Sequence, residues 1–134
     1  MKKFLIATVA VFFAWEILDF VIHSVLLAQM YKETASLWRP MAEMKVGVVV
    51  FVTLISAASF CYLYYAFVSE KTMANALKFG LVFGIGGGVS MGYGSYAVMP
   101  MPYMMAFAWF LGTVIELVVA GLILGLILKP EAAV

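Results

Sequence analysis

Four apolar runs, roughly residues 4–28, 46–68, 73–98 and 103–128, constrain this chain more than anything else in it. Each is long enough to cross the hydrocarbon core of a bilayer, which takes about 20 residues of α-helix. Backbone polar groups in lipid must be bonded within the segment, so open strands are excluded. No alternating apolar–polar pattern suggests a membrane barrel. The sequence therefore predicts an all-α integral membrane protein. Its architecture would be an up-down bundle of four transmembrane helices, a single membrane domain over 1–134, with a short interfacial segment between helices one and two. Composition agrees: charged residues make up 11% of the chain, against about 25% in soluble domains.

The first residues, MKKFLIATVAVFFAWEILDF, begin as a signal peptide does, with two lysines and an apolar core. The apolar run continues to Ala28 without a polar cleavage region, so it reads as a retained first helix. Between helices one and two, QMYKETASLWRPMAEMK carries most of the polar residues outside the spans. Pro40 suits the first turn of helix two, and Glu43 suits its N-terminal dipole. Tyr31 and Trp38 are expected as interfacial anchors at the headgroups, with Arg39 an anchor or a ligand for lipid phosphate.

The remaining linkers are short. SEKT, 69–72, reads as a tight hairpin with Thr72 as an N-cap. MPMP, 99–102, reads as a turn shaped by Pro100 and Pro102. Lys129 and Pro130 end the last helix. Such short turns predict helices two and three, and three and four, as antiparallel neighbours. Lys2, Lys3, Lys71, Lys78 and Lys129 fall on the N-terminal side, against Lys32, Arg39 and Lys45 on the other. That bias predicts both termini in the cytoplasm, in a bacterial-type inner membrane.

Helix three has an unusual face. In GLVFGIGGGVSMGYGSY, Gly80, Gly84, Gly88 and Gly92 recur every fourth position. A helix stripped of side chains along one stripe lets a neighbour approach its backbone, and dispersion then drives association in lipid. The candidate neighbours are helix four, where Gly121 and Gly125 repeat the spacing, helix two through Ser56 and Ser59, or a second copy. Gly86, Gly87 and Gly94 widen the bare surface enough for a flat cofactor or a lipid. A dinucleotide fingerprint is absent.

Ionisable residues inside the spans are the other departure. Glu16, Asp19 and His23 lie in helix one, and Glu116 in helix four. Each costs about 2.5–3.5 kcal/mol at the bilayer centre on insertion scales, so such groups turn from lipid and find partners. The three on helix one fall within an arc of roughly 60°. Asp19 and His23 are four residues apart and expected to hydrogen-bond. Measured from the outer ends of their helices, Glu16 and Glu116 lie at the same depth, about 18 Å in. If the helices touch, these two carboxylates meet, and both cannot ionise cheaply there.

Three chemistries are open to this cluster: a hydrogen-bonded structural tie, a proton or cation path, or a metal or haem site using Glu16, Asp19, His23 and Glu116. One histidine cannot ligate haem on both faces, and the Glu-x-x-His pair of di-iron bundles is missing. No cofactor is expected, with metal or haem the exception. Met99, Met101, Met104 and Met105 read as gap-filling rather than as a copper site. Cys61 reads as a buried small hydrophobe.

The function classes narrow accordingly. The net charge of +1 says nothing about nucleic acid, but the sequence offers no basic patch for phosphate, so no nucleic-acid partner is expected. No nucleophile–base pair, phosphate loop or zinc motif is present, so no enzyme acting alone is expected. The expected partners are the bilayer and either further copies or other membrane subunits. The leading expectation is a small non-catalytic accessory or structural subunit that packs through the glycine stripe into a homo-oligomer or larger complex. The alternatives are a small transporter or proton- or cation-conducting protein using the Glu/Asp/His cluster, and a metal or haem holder using the same residues.

Overall fold

A computed structural model describes residues 1–129, and every regular element among them is helical. Helix α1 (Lys2–Asp19) runs without a break into a π-helical segment, Phe20–Leu26. Leu27 ends it, and the short helix α2 (Ala28–Glu33) follows. Two 3₁₀ turns, Ala35–Leu37 and Met41–Glu43, lead into α3 (Val46–Phe67). Helix α4 (Met73–Gly88) passes through a second π segment, Val89–Gly94, into α5 (Ser95–Val98). Helix α6 (Tyr103–Ile127) completes the described chain.

Among the described residues, three stretches are long and apolar enough to cross a membrane: Lys2–Leu26, Val46–Phe67 and Tyr103–Ile127. The fourth expected span, 73–98, is helical along its whole length but diluted by glycine. Only 22–28% of each of the three spans is buried within the chain. Phe20, Val48, Phe51 and Phe67 are among the large apolar side chains left outside. Apolar surface on that scale needs lipid or protein around it.

The linkers depart from expectation in one place. Thr72 caps α4 as predicted, its hydroxyl accepting from the Asn75 N–H at 3.1 Å. Pro102 stands at the N-cap of α6. Pro40, however, precedes the 3₁₀ turn Met41–Glu43 rather than opening the second long helix, which starts six residues later. Glu43 is part of that turn, so its charge lies ahead of the α3 dipole instead of in its first turn. Pro130 lies outside the described residues.

Packing resolves the glycine question. A Cβ placed on Gly80 would strike the Leu117 carbonyl oxygen, and one on Gly92 the Ala106 carbonyl oxygen. One on Gly84 would meet the Val114 Cα at 3.0 Å, and one on Gly88 the Phe110 carbonyl oxygen at 2.7 Å. From the other side, a Cβ on Gly121 would lie 2.5 Å from the Ala76 carbonyl oxygen. The neighbour of the stripe is therefore α6 of the same chain, backbone against backbone. The stripe is filled internally and offers no open face to another subunit. Gly86 has nothing within 4 Å of the equivalent position.

Helix α1 packs against both α3 and α6. Ala7, Val11 and Trp15 of α1 meet Ala57, Cys61 and Tyr64 of α3 in a buried core that also takes in Ala120 and Leu124 of α6. Helices α3 and α4, expected as close neighbours through their hairpin, meet instead through aromatic side chains. Phe60 and Tyr64 stack on Phe79 at 4.9 and 5.4 Å between ring centroids. Bulky rings hold these two backbones apart, while small residues let α4 and α6 close up. Cys61 is a buried, unbridged thiol within the core.

Candidate intramembrane polar site

The polar residues of α1 come together with α6 at the outer end of this core. The π segment after Asp19 carries Ile22 and His23 toward α6, and Gly112 makes room for them. A Cβ on Gly112 would lie 3.1 Å from Ile22. Asp19, Ile22, His23, Met91, Trp109, Gly112, Thr113 and Glu116 line a small cavity of about 90 Å³. Space of that size admits a few water molecules where polar groups line it. Met91 belongs to the second π segment, so both π turns border the cavity. Single π turns inside α-helices occur disproportionately at functional sites.

The carboxylates are arranged differently from the depth argument. Asp19, not Glu16, is the acid that lines this cavity together with Glu116. Two carboxylates are both acceptors, so they bond to each other only with a proton or a cation between them. Glu16 sits one helical turn deeper, outside the cavity lining. One oxygen of Glu16 and one of Glu116, the Oε1 atoms, are buried without a hydrogen-bond partner. Buried acceptors of this kind are normally satisfied, so each calls for a donor. The Glu116 backbone carbonyl is satisfied: the Trp15 indole N–H donates to it at 2.8 Å.

The Asp19–His23 pair also needs correction. Nε2 of His23 is 3.6 Å from Oδ1 of Asp19, an ion-pair distance and too long for a hydrogen bond. The π segment changes the spacing that an unbroken α-helix would give. The strong contact of the imidazole lies on its other side, where Nδ1 is 2.6 Å from the Tyr31 hydroxyl. That hydroxyl accepts from the Trp109 indole N–H at 2.9 Å. With Tyr31 donating to Nδ1, the proton of a neutral imidazole sits on Nε2, facing Asp19. Burial pushes the Tyr31 phenol up to about 12; the Trp109 hydrogen bond opposes the shift and the Asp19 charge adds to it.

Tyr31 and Trp38 were expected at the headgroups, yet both fold back onto the bundle. Leu27 breaks the first span, so α2 turns across the end of α6. Trp38 stacks on Tyr31 at 5.4 Å and on Trp109 at 5.8 Å. Its indole N–H donates to the Thr34 hydroxyl at 2.8 Å, which donates to the Met30 carbonyl at 2.7 Å. Met101 and Met105 are buried beneath this aromatic cap. Arg39 is exposed and takes no part in the cavity.

The site is polar toward one end only. Glu116, Asp19, His23 and Tyr31 make a succession of groups from the middle of α6 to α2. Below Glu16, α1 presents Val11 and Ala7 to a close-packed apolar core, and the Thr8 hydroxyl is turned onto the Phe4 carbonyl. Among the described residues no three His, Cys, Asp or Glu groups converge as a metal-ligand set. Sequence reasoning found the four ionisable residues but not Tyr31, Trp109 or Trp15 as their partners. A tryptophan in mid-span was the available signal, because a buried indole N–H needs an acceptor.

No known protein family matches the chain, and neither curated proteins nor solved structures resemble it significantly.

Proposed function

We propose that this is a four-span membrane protein that binds a small cation, a proton first among them, between Asp19 and Glu116. The site is entered from the side bearing residues 29–45. The observation that carries this reading is that Asp19 and Glu116 line one cavity of about 90 Å³, with the buried Oε1 of Glu116 unpartnered. That oxygen lacks a donor; a proton on one carboxyl supplies one, and a small cation would coordinate the oxygens in its place. His23 and Tyr31 stand between it and the membrane surface and can relay a proton.

In this reading 73–98 is the remaining span, and both termini face the cytoplasm of a bacterial-type inner membrane. Lys2, Lys3, Lys71 and Lys129 border one common pocket, which supports a shared side for the termini and the 69–72 hairpin. The apolar core below Glu16 supports a holding site rather than an open conduit. A through-path needs polar groups at both ends.

All three tryptophans touch this region, so intrinsic fluorescence reports on it. Reconstituted wild-type protein should show a fluorescence transition with pH that is lost in the pair Asp19→Asn and Glu116→Gln. An unchanged transition in that double variant would remove the acids from the site.

A further inference from the structure

The opposite end of the molecule carries a second pocket, unrelated to the carboxylate site. It is an open concavity of about 520 Å³ where the start of α1, the end of α3 and the end of α6 come together. Lys2, Lys3, Lys71, Lys129 and the α-amine of Met1 border it, with the Tyr65 ring beside them. Among the described residues, the acid of the neighbouring hairpin, Glu70, is exposed and does not border the pocket. Lys71 is held in place: its amine donates to the Val68 carbonyl and stands 5.4 Å from the centre of the Tyr64 ring.

We propose that this pocket binds the phosphate of an anionic lipid headgroup. Ordinary flanking lysines spread around helix ends and point to water. Here, lysines from three segments far apart in sequence border one concavity large enough for a phosphodiester headgroup. Ammonium groups are compact donors suited to phosphate oxygens. The pocket lies at the ends of the apolar spans Lys2–Leu26 and Tyr103–Ile127, at the depth where headgroups sit. Exposed Leu5 and Ile6 continue from its rim down α1, an apolar track for an acyl chain. That position favours a lipid-borne phosphate over a soluble one.

The test is native mass spectrometry of the protein released from phosphatidylcholine nanodiscs containing a minority of phosphatidylglycerol. Wild type should retain phosphatidylglycerol preferentially. Lys129→Gln should lower that preference roughly fivefold, and Lys2→Gln with Lys129→Gln roughly thirtyfold, the scale of surface lysine attraction. Lys2→Arg with Lys129→Arg keeps the charge and the insertion bias and should keep the lipid. Lys32→Gln with Lys45→Gln, at the other end, should change nothing. Equal lipid preference in wild type and the Gln pair overturns the proposal. Displacement of phosphatidylglycerol by inorganic phosphate in detergent overturns its lipid source and assigns the same pocket to a soluble phosphate.

Discussion

Replacing Gly88 by alanine tests how α4 and α6 are held together. The added Cβ would stand 2.7 Å from the Phe110 carbonyl oxygen, while ordinary contacts begin at 3.4 Å. The obstacle is backbone, so no side chain can swing aside. The helices must part by roughly 0.7 Å, and a gap of that size forfeits a quarter to a half of each dispersion contact along the seam. In lipid no hydrophobic drive between helices makes up the loss. Overpacking of this kind costs about 1–3 kcal/mol. Gly86→Ala is the matched control, two residues away on the opposite face with nothing within 4 Å. There alanine only improves helix propensity, by about 1 kcal/mol at most. Thermal unfolding in mild detergent, followed by circular dichroism, should therefore separate the two: Gly88→Ala less stable than wild type, Gly86→Ala equal or more stable. Equal stability of the two variants would refute close backbone packing at the stripe.

Tyr31→Phe removes the acceptor for the Trp109 N–H and the partner of His23 Nδ1. It should lower unfolding stability by about 1–3 kcal/mol, the cost of stranding a buried donor, while Tyr62→Phe on the exposed face of α3 should not. The raised phenol of Tyr31 gives a pH test with a definite sign. Its folded value of about 12 lies above the ordinary 10, so its contribution to stability is complete below pH 10 and is lost as pH climbs toward 12. Tyrosinate absorbance, as a wild type minus Tyr31→Phe difference, should show one phenol ionising near the top of that window; ionisation near pH 10 would contradict its burial.

Much of the fold was legible in the sequence because lipid imposes a length on apolar runs. Three spans emerged close to their expected limits, and Thr72 capped α4 as its position predicted. The glycine stripe was also visible, but not its neighbour: Gly121 and Gly125 made α6 one candidate among three, and only packing could choose. The site was legible as residue types and not as contacts. Counting depth along ideal helices paired Glu16 with Glu116, whereas the packed helices set Asp19 opposite it. The π segment Phe20–Leu26 shifts the spacing beyond Asp19, and no residue in it announces that shift. Tyr31 and Trp38 have the composition of interfacial anchors, and nothing in it announces that the break at Leu27 also packs them on the end of α6. Hydropathy reads how far a side chain is from water, not which way a short helix turns.

What lies between Asp19 and Glu116 decides whether the cavity is a cation site. Infrared spectroscopy of the reconstituted protein at neutral pH, in a buffer without small inorganic cations, addresses this directly. The carbonyl stretch of a neutral carboxylic acid should be present in wild type and absent in Glu116→Gln. Identical spectra for the two proteins, with no neutral acid band in either, would contradict a shared proton and with it the proposed site.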